Sequence, residues 1–290
     1  MDKIGIIGGS GLYDLPGLSD TKWVAVQTPF GDPSDELLTG TLGSTEVVFL
    51  PRHGRGHRLL PQEINFRANL WAMKKLGVTR VFSVSAVGSM KEEIEPGHLV
   101  VPDQFLDRTQ GRQSTFFGDG IVGHVSFGDP VCRDLASTLS GAASASGATV
   151  HEGGTYVCIN GPQFSTRAES NSYRQLGVSV IGMTNMPEAK LAREAELCYA
   201  TLALSTDYDC WYAGHDNVTV EAVMAVMAKN IDAAKKTIAA AIPKANRESA
   251  KGACGCGSAL RFAVMTDPKK IPPGTRERLD LLVGKHLPPL

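Results

Sequence analysis

Two carboxylates and a phosphate-seeking arginine are the most reactive-looking groups in this sequence. In Ser205-Thr-Asp-Tyr-Asp-Cys-Trp211, Asp207 and Asp209 follow an apolar run. Strand alternation puts residues two apart on one face, so both acids can hydrogen-bond a base carrying amino and ring nitrogens. Two solvated loop acids are the competing reading. In Pro51-Arg-His-Gly-Arg-Gly-His57, Arg52 brings a planar fork of donors suited to phosphate, with His53 able to donate beside it. His53 and His57 stand four apart, but no carboxylate between them completes a metal motif. Solvated loop charges compete here too.

Four further motifs are weaker one by one. Gly8-Gly-Ser-Gly11 follows a strand, where glycines admit a close anion and the Ser10 hydroxyl can donate. A dinucleotide loop begun at Gly9 would need a small residue where Asp14 stands, and a plain turn is equally compatible. Ser83-Val-Ser-Ala-Val-Gly-Ser89 offers backbone amides and the Ser85 hydroxyl at a strand end. Asn160-Gly-Pro-Gln-Phe-Ser-Thr-Arg167 presents Phe164, whose ring either stacks on a flat heterocycle or fills the core. In Gly182-Met-Thr-Asn-Met-Pro-Glu188, Thr184 can donate near a helix N-terminus and Met183 can floor a sugar. That segment also reads as a simple helix start.

Positioning these motifs requires strands that alternate with amphipathic helices. Strands are expected at Lys3–Gly8 and at 46–51, 79–86, 99–102, 155–160, 178–183 and 201–207, several of them apolar on both faces, which suits a sheet covered on both sides. Helices are expected at 62–76, 131–146, after the capping-box spacing of Thr166 and Glu169, from Pro187, from 218 onward and at 276–285. Val220, Val223, Met224, Met227, Ile231, Ala234 and Ile238 mark one face of the helix after 218. No repeat or long linker divides the 290 residues, so one α/β domain spanning 1–290 is the expectation.

A net charge of -1 without a basic block gives no footprint for nucleic acid or an anionic membrane. No apolar stretch reaches the length of a membrane span, and the N-terminus lacks a signal-peptide pattern, so a cytoplasmic protein is expected. Of six cysteines, Cys254-Gly-Cys256 admits a redox or metal-ligand reading. No second Cys or His pair in the sequence completes a zinc site, so free thiols are the expectation.

Together the six motifs, in this order, resemble the trimeric purine nucleoside phosphorylase family, and within it the branch that acts on 5'-methylthioadenosine. The resemblance implies a three-layer αβα fold with a central mixed sheet, assembled as a homotrimer with pairing into hexamers left open. It assigns phosphate to Ser10, Arg52, His53, Ser85, Ala86 and Thr184. Met183 would face the ribose, and Phe164, Ser165, Asp207 and Asp209 the purine. Val220, Val223 and a neighbouring subunit's His124 would line a 5'-methylthio pocket. The 6-oxopurine enzymes of the family carry Glu and Asn where this sequence has Ser165 and Asp207, which favours adenine. The implied reaction is phosphorolysis to adenine and 5-methylthioribose 1-phosphate, in purine and methionine salvage, with Asp207 as general acid. Phosphate is the co-substrate, and neither metal nor organic cofactor is required. Gln163 and Gly182 depart from the family's usual Arg and Asn.

Overall fold

The computed structural model describes residues 3–9, 11–12, 14–212, 220–245 and 254–288, the side chains of 220–223 and 225 excepted. Its frame is a mixed sheet of eleven strands. The first half is a meander added to a parallel core: β1 (Lys3–Gly8), β2 (Leu18–Val24), β3 (Leu37–Leu42) and β4 (Thr45–Pro51). β5 (Val78–Ser89) is the longest strand, followed by β6 (Leu99–Val101), β7 (Gln104–Asp107), β8 (Val150–Glu152), β9 (Thr155–Cys158), β10 (Val180–Gly182) and β11 (Cys198–Asp207). Around it lie α1 (Phe66–Lys75), α2 (Arg133–Ala145), α3 (Arg167–Gln175), α4 (Asn185–Glu194), α5 (Val220–Ala245) and α6 (Pro273–Val283).

Three layers follow from strands that are apolar on both faces. In β1, Ile4 and Ile6 join the core beneath α2 and α5, while Ile7 points into the opposite core. In β11, Ala200, Leu202 and Leu204 join the first core, and Tyr199 and Ala203 the second, which α1, α4 and α6 cover. No described helix is long and apolar enough to cross a membrane.

The feature that makes a site is a change of partner along β5. One edge of β5 pairs with β11 from Arg80 to Gly88. On the other edge β1 pairs in parallel only as far as Ser83, and antiparallel β10 takes over at Gly88. Val84 to Val87 therefore lack a strand neighbour on that edge, and backbone groups left so must find other partners.

Each expected strand and helix is present with shifts at its ends. Thr166 does cap α3: its Oγ1 accepts from Glu169 N, and Glu169 Oε2 accepts from Thr166 N. α4 begins with a bend, because Met186 is extended (φ −115°, ψ 129°) and regular helix starts at Pro187. Strands β2, β3, β7 and β8 went unanticipated. β2 is mostly exposed and polar, β3 is interrupted by Thr and Gly, and β7 and β8 are short, so none shows a clear apolar period.

Candidate active site

At the unpaired stretch of β5 a cleft of about 690 Å³ opens. Arg52, His53, Ser85, Ala86, Phe164, Ser165, Met183, Thr184, Asp207 and Asp209 all line it. Residues named from five separate motifs thus meet at one place. Ser10 lies outside the described residues. Val220 and Val223 fall in the first turn of α5, with side chains outside the described set. His124 is exposed and does not line this cleft; its backbone N donates to Ala263 O at 2.9 Å.

Arg52 directly follows β4 and is 2% exposed. Its guanidinium is largely committed within the protein. Nε donates to Glu188 Oε2 at 2.8 Å and Nη2 to Glu188 Oε1 at 3.0 Å. Nη2 also donates to Ser83 Oγ at 2.7 Å, and Nη1 to Val84 O at 2.9 Å, which satisfies part of the bare β5 edge. Of five N–H donors, one on Nη1 is left for a ligand. The expected phosphate fork is corrected accordingly: its forked side holds Glu188.

Glu188, fully buried, also accepts from Ser83 Oγ at 2.6 Å and Tyr199 Oη at 2.9 Å. Next to it, Asn185 Nδ2 donates to Tyr199 Oη and to Thr201 Oγ1, while its Oδ1 accepts from Ser85 Oγ at 3.1 Å. Glu188 and Asn185 thereby lock β4, β5, α4 and β11 together behind the cleft. Glu188 stands inside a motif already singled out; its role was invisible because nothing in the sequence pairs it with Arg52.

His53 differs from expectation in its proton. Its Nδ1 lies 2.9 Å from Leu59 O, and a carbonyl only accepts, so Nδ1 carries hydrogen. Burial, helped by the neighbouring Arg52 charge and the stacked His57 ring, pulls the imidazole down to about 4. The neutral ring then presents Nε2 as an acceptor rather than a donor.

The acids sit on Gly88, where a Cβ would lie 2.9 Å from Asp207 Oδ1 and 3.4 Å from Asp209 Cβ; only glycine leaves room for them. Asp207 Oδ1 accepts from Asp209 N at 2.8 Å, closing a turn in which Asp209 has φ 51°. Burial raises both carboxyls above the ordinary aspartate range. Thr206 Oγ1 lies 2.7 Å from Asp207 Oδ2 and 3.2 Å from Val87 O. Its single hydrogen serves one of them at a time. When Val87 O receives it, the short contact persists only with a proton on Asp207.

Phe164 is 50% exposed on the cleft, so its ring is not core filling. Ser165 Oγ and Thr184 Oγ1 are buried without a hydrogen-bond partner. Met224, Met227 and Ile231 of α5 supply an apolar wall that the helical face had indicated without a role. Gly182 also has a reason: any Cβ there would run into the Tyr156 hydroxyl.

This site on a mixed three-layer sheet defines a phosphorylase of the nucleoside type in architecture. The chain belongs to the phosphorylase superfamily, whose family model matches residues 3–243. It is 61% identical to S-methyl-5'-thioadenosine phosphorylase of Geobacter sulfurreducens, over 98% of this chain and 99% of that one. Identity is 56% with the enzyme of the same name from Koribacter versatilis, over 98% and 96%. A crystal structure of methylthioadenosine phosphorylase from an Antarctic soil metagenomic library superposes with a TM-score of 0.92 at 47% identity, over 97% and 98%. The Schistosoma mansoni methylthioadenosine phosphorylase in complex with adenine gives 0.84 at 38%, over 89% and 96%.

Two outcomes follow from the buried charges. Glu188→Gln strands the Arg52 cation, and urea unfolding should show a loss of about 3–5 kcal/mol, the usual result of breaking a buried pair. A loss within experimental error would show the pair to be dispensable. His53 is depressed in the folded protein from its ordinary 6.5 to about 4. Its contribution is complete above about pH 6.5 and lost as pH falls toward 4, because the unfolded chain binds the proton first. Stability of His53→Gln should therefore fall less than wild type over that window; an equally steep profile would refute this.

Proposed function

We propose that this chain cleaves 5'-methylthioadenosine with phosphate, giving adenine and 5-methylthioribose 1-phosphate. The observation that carries the reading is the meeting, in one cleft, of anion donors at the bare β5 edge with paired acids whose carboxyls burial raises. The close relatives bearing that enzyme's name support it.

In the proposed reaction the C1'–N9 bond breaks and its electron pair stays on the purine. Asp207 donates its proton to N7 as that charge develops. A phosphate oxygen forms the new bond to C1' from the opposite face, inverting the anomer. Ser10, the free Nη1 hydrogen of Arg52, the Ser85 and Ala86 strand edge, and Thr184 Oγ1 hold the phosphate. Neutral His53 Nε2 accepts the hydrogen of hydrogen phosphate. Phe164 and Ser165 flank the base with Asp209, and Met183 floors the ribose. The apolar wall of Met224, Met227 and Ile231 favours a methylthio group over a 5'-hydroxyl, and the family resemblance assigns Val220 and Val223 to the same 5' end. The reaction calls for no organic cofactor.

The test of phosphate dependence is direct. Adenine release from 5'-methylthioadenosine should require phosphate; release at equal rate without it would make the protein a hydrolase. Asp207→Asn should lower kcat/KM for 5'-methylthioadenosine by about 10²-fold or more, the scale of a lost general acid. For 5'-methylthioinosine the loss should be smaller, since an amide NH2 still donates to O6. Equal losses on both substrates would remove Asp207 as the reader of the purine.

The homotrimer belongs to the same proposal, with His124 completing the 5' pocket of a neighbour. Mixing His124→Ala chains with Asp207→Ala chains should restore a fraction of wild-type sites. Verified mixed oligomers without recovered activity would show that sites are not shared.

A further inference from the structure

On the face of the sheet beneath α2 and α5, four of the six cysteines come together. Cys132 precedes the first turn of α2, Cys198 opens β11, and Cys254 and Cys256 belong to the segment that follows α5. Their sulfurs all lie within 4.8 Å of one another, and Cys198 Sγ is 3.4 Å from Cys254 Sγ. The expectation that no second pair joins Cys254 and Cys256 missed this because Cys132 and Cys198 are single cysteines far apart in the chain.

We propose that Cys132, Cys198, Cys254 and Cys256 form a tetrathiolate site for zinc. Zinc–thiolate bonds of about 2.3 Å in a tetrahedron place the sulfurs about 3.8 Å apart, the spacing this cluster approaches. The arrangement is four-way rather than two pairs, since each sulfur is near the other three. Gly255, at φ 67°, folds the Cys-Gly-Cys turn so that both sulfurs reach one point. Cys132 stands at the N-cap of a thirteen-residue helix, where unpaired N–H groups and the helix dipole favour a thiolate. Cys132, Cys198 and Cys256 are buried among the apolar residues of that core, which keeps water from the sulfurs. Four protein ligands leave no open position, so the metal is structural.

What it would hold is the C-terminal segment. Close by, Glu196 Oε1 accepts from Leu260 N and lies 2.9 Å from His286 Nε2, while Lys285 pairs with the same carboxylate. The segment then bridges to the loop of His124: Gly123 pairs with Val264, and Met265 N donates to Val122 O. The proposal does not depend on the reaction assigned above.

The test is metal and thiol analysis of the full chain, purified anaerobically with reductant in zinc-supplemented, phosphate-free buffer. About one zinc per chain is expected, with six titratable thiols after chelation and denaturation. Cobalt substitution should give thiolate-to-metal charge transfer and the visible bands of a tetrahedral site. Cys254→Ser, the change at the least buried ligand, should weaken zinc binding by at least about tenfold and lower Tm by several degrees; Cys210→Ser should leave zinc bound. Wild-type protein with six thiols and no zinc would overturn the proposal. So would fewer than six thiols without zinc, which would mean disulfides, or stoichiometric, undiminished binding in Cys254→Ser.

Discussion

Burying the Arg52 guanidinium against Glu188 takes two full charges out of water, at a cost of several kcal/mol per ion before their attraction is counted. Such a pair persists only when the remaining hydrogen-bonding positions are filled. Here Ser83 and the Val84 carbonyl of β5 and Tyr199 of β11 fill them. The pair therefore fixes the spacing between the end of β4, the bare edge of β5, the start of α4 and the start of β11. Of the described residues proposed to touch phosphate, Arg52 and His53 follow β4, Ser85 and Ala86 lie on β5, and Thr184 is the N-cap residue of α4.

The same burial sets the character of the cleft. Desolvation lowers His53 and raises Asp207 and Asp209, so the titratable groups facing the ligand are drawn toward their neutral forms. Arg52 is already neutralised by Glu188. A site built this way meets a phosphate dianion mainly with dipoles and single N–H groups rather than excess positive charge. It can hold the nucleophile without suppressing its attack, and its carboxyl can keep a proton to give away.

How much of this was legible in the sequence depended on whether the signal was local. That Asp207 and Asp209 lie together was legible from their closeness in the chain, but a left-handed turn at Asp209 just past β11, not strand alternation, joins them. Thr166 with Glu169 announced the start of α3 in four residues. The end of β4 before Arg52 was equally plain from its apolar run, whereas the strand end expected near Ser85 is interior to β5, which runs on to Ser89. The Arg52–Glu188 pair, the tautomer of His53 and the thiol cluster were not legible, because each is a meeting of distant segments that no spacing encodes. The hairpin strands β2 and β3 escaped for another reason: β2, at the sheet edge, is mostly exposed, and β3 carries Thr and Gly through its middle, so neither shows the apolar pattern that betrays a buried strand.

Helix α5 divides its work along its length. Met224, Met227 and Ile231 face the cleft, whereas Ala234, Ile238, Ala241 and Ile242, farther along, are fully buried in the core. A substitution in the front turns alters what the cleft wall can accommodate without disturbing the packed rear, which keeps the helix anchored. Preference at the 5' end of a nucleoside can drift among descendants of this chain while the scaffold stays unchanged, so one helix gives the lineage both its memory and its freedom to adapt.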